Sequence, residues 1–119
     1  MGGIFIRKKI KFNGKLYNIG VYKYYNGKIR LKYESKTESH DITLSLDDIY
    51  LIDDKVLLDP FIEKNGLIKV LIKNRIIRDV TSINYDYIEI PTAKINMGIL
   101  KQYDRKGVCK YLNNGEAFL

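Results

Sequence analysis

The sequence is poor in the residues that build covalent frameworks and catalytic centres. Its 119 residues include one cysteine, one histidine, two prolines and no tryptophan. A lone cysteine cannot close an internal disulfide bond, which is typical of proteins in a reducing cytosol. No apolar run approaches the roughly 20 residues that a membrane-spanning helix needs, and the N-terminal stretch lacks the charge order of a secretory signal. We therefore expect a single cytoplasmic domain, residues 1–119.

Acidic residues are also absent from the first 33 positions, which carry nine lysines and arginines. Residues 34–59 reverse this balance with eight acidic and two basic residues, and residues 60–119 hold six acidic and ten basic ones. The net charge of +7 is therefore unevenly distributed along the chain. Such segregation says more about an anionic partner than the total charge does.

Two Asn-Gly dipeptides divide the N-terminal third into alternating segments. Asn13-Gly14 and Asn26-Gly27 are typical of two-residue type I′ turns, because both central residues of such a turn need positive φ. With two-residue turns at both places, the apolar side chains in the two halves of the middle strand would lie on opposite faces. One extra residue removes this conflict, so we predict a β-bulge or sharp bend at Gly20.

The rest of the chain predicts further strands and two helical regions. "HDITLSL" alternates as a fourth strand, with Ile42 facing inward and Thr43 outward, and residues 55–58 form a short fifth strand. Asp59-Pro60 is a typical helix start, and Gly66 can divide the helical region that follows into two. Residues 76–90 alternate as strand, turn and strand.

Together these elements predict an α+β fold. An antiparallel β-meander lies at the N-terminus, about four to six strands occur in all, and helices at about 60–74 and 97–113 pack on one face. Asn96 and Asp104 are the expected caps of the last helical region. Its expected buried positions are Leu100, Tyr103, Val108, Tyr111 and Leu112. Cys109 is expected to lie beside them as a small, semi-buried apolar residue.

The alternating cations of the meander are the main candidate site. With the bulge in place, one solvent-facing surface is predicted to carry Arg7, Lys9, Lys11, Lys23, Tyr25, Lys28, Arg30 and Lys32. Cations interleaved with a tyrosine suit a phosphate backbone, whose counterions they displace, and an exposed base that can stack on the ring. The same surface would suit an acidic protein. It could equally be a solvated face whose lysines discourage strand-to-strand association.

The acidic middle segment has three interpretations. Clustered carboxylates such as Asp47, Asp48, Asp53 and Asp54 can bind Mg²⁺ or Ca²⁺, although their spacing matches no standard metal loop. Aspartates also populate turns for local backbone reasons. A third reading is a homodimer, in which this segment of one copy pairs with the basic segment of another.

The sequence lacks a glycine-rich phosphate loop, a CxxC pair and a nucleophile elbow, so we expect no enzyme, cofactor or resident metal. His40 stands alone in the sequence. Since a general base needs a partner within hydrogen-bonding reach, a surface position without a catalytic role is the simpler interpretation.

Three stretches carry a resemblance to small uncharacterised proteins of phages and plasmids from clostridia and related low-GC bacteria. They are "YYNGKIRLKY" at 24–33, "VLLDPFIEKNGLIKVLIKN" at 56–74 and "INMGILKQYDRKGVCKYL" at 95–112. The abundance of Ile, Lys, Asn and Tyr, which AT-rich codons encode, fits the same origin. Several proteins of this kind are anti-CRISPR proteins, so the resemblance implies a stoichiometric inhibitor without catalytic residues.

The expected partner is a Cas effector protein or its guide-RNA complex, with direct contact to RNA or DNA and none to a membrane. Because the chain is basic, acidic DNA mimicry is not expected. The alternative is a stand-alone nucleic-acid-binding module of a phage or plasmid. If the predicted faces are right, changing Lys28, Arg30 and Lys32 to glutamate should abolish binding and leave the melting temperature nearly unchanged.

Overall fold

In a computed structural model, which describes residues 6–49, 51–52 and 54–113, the chain forms eight strands and four helices within those residues. The strands are β1 (Ile10–Phe12), β2 (Lys15–Lys23), β3 (Ile29–Glu34), β4 (Ser39–Asp41), β5 (Thr43–Leu44), β6 (Lys55–Leu58), β7 (Ile77–Tyr85) and β8 (Ile88–Ile95). The helices are α1 (Pro60–Lys64), α2 (Leu67–Lys73), α3 (Met97–Tyr103) and α4 (Arg105–Asn113).

All strand pairs are antiparallel, and they form two sheets with the orders β1-β2-β3-β4 and β5-β6-β8-β7. The α+β class and the N-terminal meander are confirmed. The strand number exceeds the expected range, and the division into two sheets was not predicted.

The two Asn-Gly dipeptides form different turns. Asn13 and Gly14 have φ angles of 51° and 77°, and Phe12 pairs with Lys15, so this is the predicted two-residue turn. At Asn26-Gly27 only the glycine has a positive φ, 87°.

The second turn is a three-residue loop. The Tyr24 amide donates to the Lys28 carbonyl at 2.8 Å, and the Gly27 amide donates to the Tyr24 carbonyl at 2.9 Å. This pattern is a type I turn followed by a left-handed glycine, the common three-residue hairpin with a G1 bulge. The predicted two-residue turn at Asn26-Gly27 is therefore wrong.

The bulge predicted at Gly20 is also wrong, because β2 pairs with β3 without a register shift and Gly20 lies directly opposite Lys32. The extra residue that reconciles the two faces lies in the turn after β2. Gly20 serves a different purpose. A Cβ at this position would lie 2.5 Å from a Glu34 carboxylate oxygen and 2.6 Å from the Tyr22 ring, so glycine makes room for this pair on the outer face.

The expected fourth strand is split at Ile42, where the chain passes from the first sheet to the second. The Ile42 amide donates to the Leu31 carbonyl at 2.8 Å, and the Leu31 amide donates to the Thr43 hydroxyl at 3.0 Å. Thr43 is therefore buried, not outward as predicted, because its hydroxyl replaces the carbonyl that an unbroken strand would have offered to Leu31.

The helix boundaries follow local capping chemistry. The Asp59 side chain accepts from the Phe61 amide at 2.9 Å, with Pro60 as the first residue of α1. Gly66, at φ 88°, separates α1 from α2. Asn96 accepts from the Ile99 amide at 3.1 Å, which confirms the predicted start of α3.

Of the stripe predicted for the last helices, Leu100, Tyr103 and Val108 are buried and Tyr111 is half-buried. Leu112 is 50% exposed. Cys109 is exposed as well, so the buried placement predicted for Leu112 and the semi-buried one for Cys109 are wrong. Cys109 faces solvent because it lies about 100° around the helix from Val108, which packs against the core. Leu112 lies on the same side as Val108 but in the last turn of α4.

One hydrophobic core joins both sheets and all four helices of the described residues. Its fully buried members include Ile19 and Leu31 of the first sheet, Leu58 and Ile77 of the second, and Leu71 of α2. No helix within these residues has the length and hydropathy to cross a membrane.

Candidate interaction surface

Four of the eight predicted contact residues lie on the outward side of β1–β3, which we call the sheet face: Lys11, Lys28, Arg30 and Lys32. Their strand neighbours Ile10, Ile29 and Leu31 are buried on the other side. These four cations therefore lie on one side of the sheet. Contacts with the acidic middle segment, however, engage some of their charges.

The loop after β5 binds the lysine at the start of β3. The Lys28 ammonium donates to the carbonyls of Leu46 and Ile49, at 2.6 and 2.7 Å. The sheet edge is thereby tied to a segment that has no regular secondary structure. Lys28 is thus a structural cross-link of the native fold.

The hairpin tip is bound by the same loop. The hydroxyl of Tyr25 donates to one Asp47 oxygen at 2.5 Å, and the Asn26 amide donates to the other at 3.0 Å. These two hydrogen bonds, the Tyr25 one foremost, lower the pKa of Asp47. The Tyr25 ring nevertheless remains 88% exposed, so it stays available to a partner.

Arg30 is neutralised within the sheet. Its guanidinium donates two hydrogen bonds to the Asp41 carboxylate, at 2.8 and 3.1 Å, and lies 5.2 Å from the centre of the Tyr24 ring. Lys32 lies opposite Asp41 in the strand pairing but has no ion pair within the described residues. Of the β3 cations, Lys32 therefore offers the least compensated charge.

Lys23 lies on the side opposite the sheet face. It pairs with Ile29, so it shares the side of the sheet that carries the core. Its ammonium lies 5.1 Å from the Tyr111 ring centre, a cation–π contact with α4. Lys23 and Lys110 both line a groove of about 280 Å³ between β2 and α4. The predicted placement of Lys23 beside Lys28 and Arg30 is therefore wrong, because the three-residue turn shifts the pairing by one.

Arg7 closes the edge of β2 instead of standing free. Its guanidinium donates to the carbonyls of Ile19, at 2.8 Å, and Tyr103, and lies 3.7 Å from Asp104. The same Asp104 carboxylate accepts from the Val21 amide at 2.9 Å. Because β1 pairs only with residues 15–17 of β2, these side chains satisfy the edge groups that β1 leaves uncovered.

A second group of cations lies on α3, α4 and the chain segment beside them. Of its members, the sequence analysis named only Lys9, which it placed with the cations of the meander. The Lys8 amide donates to the Gln102 carbonyl at 2.9 Å, which brings Lys8 and Lys9 to the end of α3. We call the helical surface the exposed set Lys8, Lys9, Lys101, Arg105, Lys106 and Lys110. None of the six has an ion pair within the described residues.

Local charge makes the helical surface distinct from the sheet face. Residues 6–9 and 97–113 contain seven basic residues and one acidic residue, Asp104, which Arg7 and the Val21 amide already engage. A signal for this surface was present in "LKQYDRKGVCKYL". Lys106 and Lys110 are four residues apart, a spacing that places both on one side of a helix.

The acidic middle segment is used internally. Besides Asp41 and Asp47, Asp48 accepts from the Tyr85 hydroxyl at 3.0 Å, and Glu38 pairs with Lys15. The hydrogen bond from Lys15, aided by one with His40, lowers the pKa of Glu38 to about 2. Glu38 and Asp41 thus meet opposite charges, those of Lys15 and Arg30, within one chain. The homodimer considered from the sequence stays a prediction.

No group of three or more metal-ligating side chains occurs in the part of the chain that the structure describes. Asp53, one of the four aspartates considered as ligands, lies outside the described residues. His40 is exposed, contacts Glu38 at 3.1 Å and stacks on Tyr33 with ring centres 5.0 Å apart. It therefore has a carboxylate partner that the sequence analysis did not foresee.

No family model matches the chain, and neither the curated proteins nor the solved structures include one with significant similarity to it.

Proposed function

We propose that the protein acts by stoichiometric binding to an anionic macromolecule. The observation that carries this proposal is the number of exposed cations without an ion pair in the described residues, which include Lys11 and the whole helical surface, Lys9 among them. Lys32 is half-buried and also has no ion pair among these residues. A surface of this kind attracts phosphate backbones and acidic protein patches over distances of about 10 Å at moderate salt.

In its specific form, the proposal is an inhibitor encoded by a phage or plasmid, an anti-CRISPR protein that blocks a Cas effector or its guide-RNA complex. The resemblance of the turn, cap and core motifs to small mobile-element proteins supports this form. Inhibition would proceed by occlusion, because a protein that covers a groove or a guide backbone needs no chemistry of its own. The bacterial cytoplasm is the corresponding location.

The second candidate is a stand-alone nucleic-acid-binding module. The helical surface favours it, since six exposed cations with no ion pair suit direct phosphate contact without an effector protein. The two candidates differ in whether naked nucleic acid is enough for tight binding.

A pair of assays separates the candidates. In the first, guide-loaded Cas effectors from low-GC bacteria cleave a target DNA in the presence of increasing amounts of the protein. In the second, the protein is titrated against labelled naked RNA and DNA over a range of salt concentrations. Inhibition at an equimolar ratio, together with weak binding to naked nucleic acid, supports the inhibitor. Tight binding to naked nucleic acid that falls steeply with salt, without inhibition of cleavage, supports the module. Failure in both assays refutes both.

A further inference from the structure

We infer that the helical surface, and not the sheet face, is the nucleic-acid contact of this protein. The inference rests on the proposed binding function and adds to it a surface and a ligand class, the phosphate backbone. It follows from four features of the described residues: rigid support, uncompensated charge, a cationic groove and a lack of apolar anchors.

Hydrogen bonds from the N-terminal segment and from β2 hold the helices of the helical surface in place. Arg7 and Lys8 bind the last carbonyls of α3, and Asp104 binds both β2 and the first turn of α4 through the Val21 and Gly107 amides. The helix backbone approaches the strand so closely that a Cβ on Gly107 would lie 2.5 Å from the Val21 carbonyl oxygen. The backbone positions that carry these cationic side chains are therefore held fixed relative to one another.

The charge on this surface is uncompensated. On the sheet face, Arg30 gives both of its hydrogen bonds to Asp41, so a phosphate there would have to displace a carboxylate. Lys101, Arg105 and Lys106 have no such competitor within the described residues. A phosphate that approaches them displaces only bulk counterions, and the release of these ions drives binding.

A groove extends the helical surface toward β2. Lys23, Lys110 and Tyr111 are among the residues that line it. The Lys23 ammonium lies 5.1 Å from the centre of the half-buried Tyr111 ring. Cations beside an aromatic ring are a combination that proteins use to follow a nucleic-acid strand.

Apolar anchors are scarce on this surface, which favours a nucleic acid over an acidic protein. Protein interfaces depend on a buried apolar centre, yet in residues 6–9 and 97–113 the large apolar side chains that are exposed are Ile6 and Leu112. Phosphate contacts need no such centre, because position and charge carry them.

The test compares two variants that lose the same charge. One replaces Lys101, Arg105, Lys106 and Lys110 with glutamine. The matched control replaces Lys36, Lys64, Lys69 and Lys73, which are also exposed, with glutamine. Binding of the full-length protein to a labelled single-stranded RNA and to a labelled DNA duplex is measured by fluorescence anisotropy between about 50 and 200 mM NaCl. Circular dichroism verifies that both variants fold.

We expect the helical variant to lose at least about tenfold in affinity. Its slope of log affinity against log salt on duplex DNA should become shallower by about 0.9 for each lost phosphate contact. The control should retain wild-type affinity within about threefold and a nearly unchanged slope. Equal losses in the two variants, or a larger loss in the control, would overturn the assignment of the surface. Wild-type protein that inhibits a Cas effector but binds neither probe would overturn this inference and leave the proposed inhibitor function intact.

Discussion

The sheet face carries four cations and the helical surface six, and the fold engages the two groups differently. Arg30 and Lys28 bind groups only 11 and 18 residues further along the chain, because the acidic segment folds back over the strand that precedes it. Among the described residues, no acidic segment lies against Lys101, Arg105, Lys106 or Lys110. The comparison shows that a run of basic residues can serve as a binding surface only if the fold brings no acidic or carbonyl partners to its side chains.

The largest effect should come from reversing charge on the sheet face. Replacing Lys28, Arg30 and Lys32 with glutamate removes the bonds to Leu46, Ile49 and Asp41, and sets new carboxylates beside carbonyls and beside Asp41. We expect a loss of about 3 kcal/mol in the free energy of unfolding, or about 10 °C in melting temperature. The structure thus reverses the small thermal effect that the sequence predicted for this variant.

The matched variant replaces Lys101, Arg105 and Lys106 with glutamate. Here the unfolding free energy should change by less than about 1 kcal/mol, since no ion pair of the described residues is lost and two of the new acids lie in the first turn of α4. Thermal and urea denaturation of the two variants measure the contrast. Similar melting temperatures for both would show that the two surfaces do not differ in their structural role.

A smaller effect should come from the contact that holds α4 against β2. Gly107→Ala places a methyl group 2.5 Å from the Val21 carbonyl oxygen, so the helix must shift, at a cost of about 2 kcal/mol. Gly98→Ala in α3 is the control, because its Cβ would meet only the Asn96 side chain, at 3.4 Å. Alanine there should stabilise the helix by up to about 1 kcal/mol. Melting temperatures that move in the same direction would contradict the close approach at Gly107.

The smallest effect concerns acid. The Lys15 ammonium holds the pKa of Glu38 at about 2, below its ordinary value of 4.5. Since the unfolded chain binds this proton more readily, the stabilisation is fully present above about pH 4.5 and is lost as the pH falls toward 2. It should be modest, because the pair is exposed. Melting curves of the wild type and Glu38→Gln between pH 2 and 6 should converge at the acid end, and a constant gap between them would exclude this linkage.

The sequence predicted features that depend on neighbouring residues. Asp59, Asn96 and Asp104 cap helices because their side chains reach amides two or three positions away. Asn26-Gly27 was misassigned because the dipeptide fits two hairpin geometries, and the choice between them depends on how β2 and β3 meet the core. The conflict between the two faces of the middle strand correctly indicated that one extra residue was needed. Only the pairing of β2 with β3 shows that this residue lies in the turn after β2 and not at Gly20.

The candidate site was harder to predict than the fold because exposure is a property of the whole chain. Nothing near Arg30 in the sequence shows that Asp41 will lie beside it, since that contact depends on β4 pairing with β3. The helical spacing of Lys106 and Lys110 predicts that α4 has a basic side. The sequence does not show that no acidic side chain of the described residues pairs with these lysines.

The hydrogen bond from Arg7 to the Tyr103 carbonyl spans 96 positions along the chain. During synthesis, one edge of β2 therefore stays uncovered until Tyr103 and Asp104 have left the ribosome. Contacts of such long range are slow to form, and an open strand edge invites pairing with other chains. The contacts of Arg7 with Tyr103 and Asp104 thus make the helical surface a late product of folding, complete only once these distant segments have met.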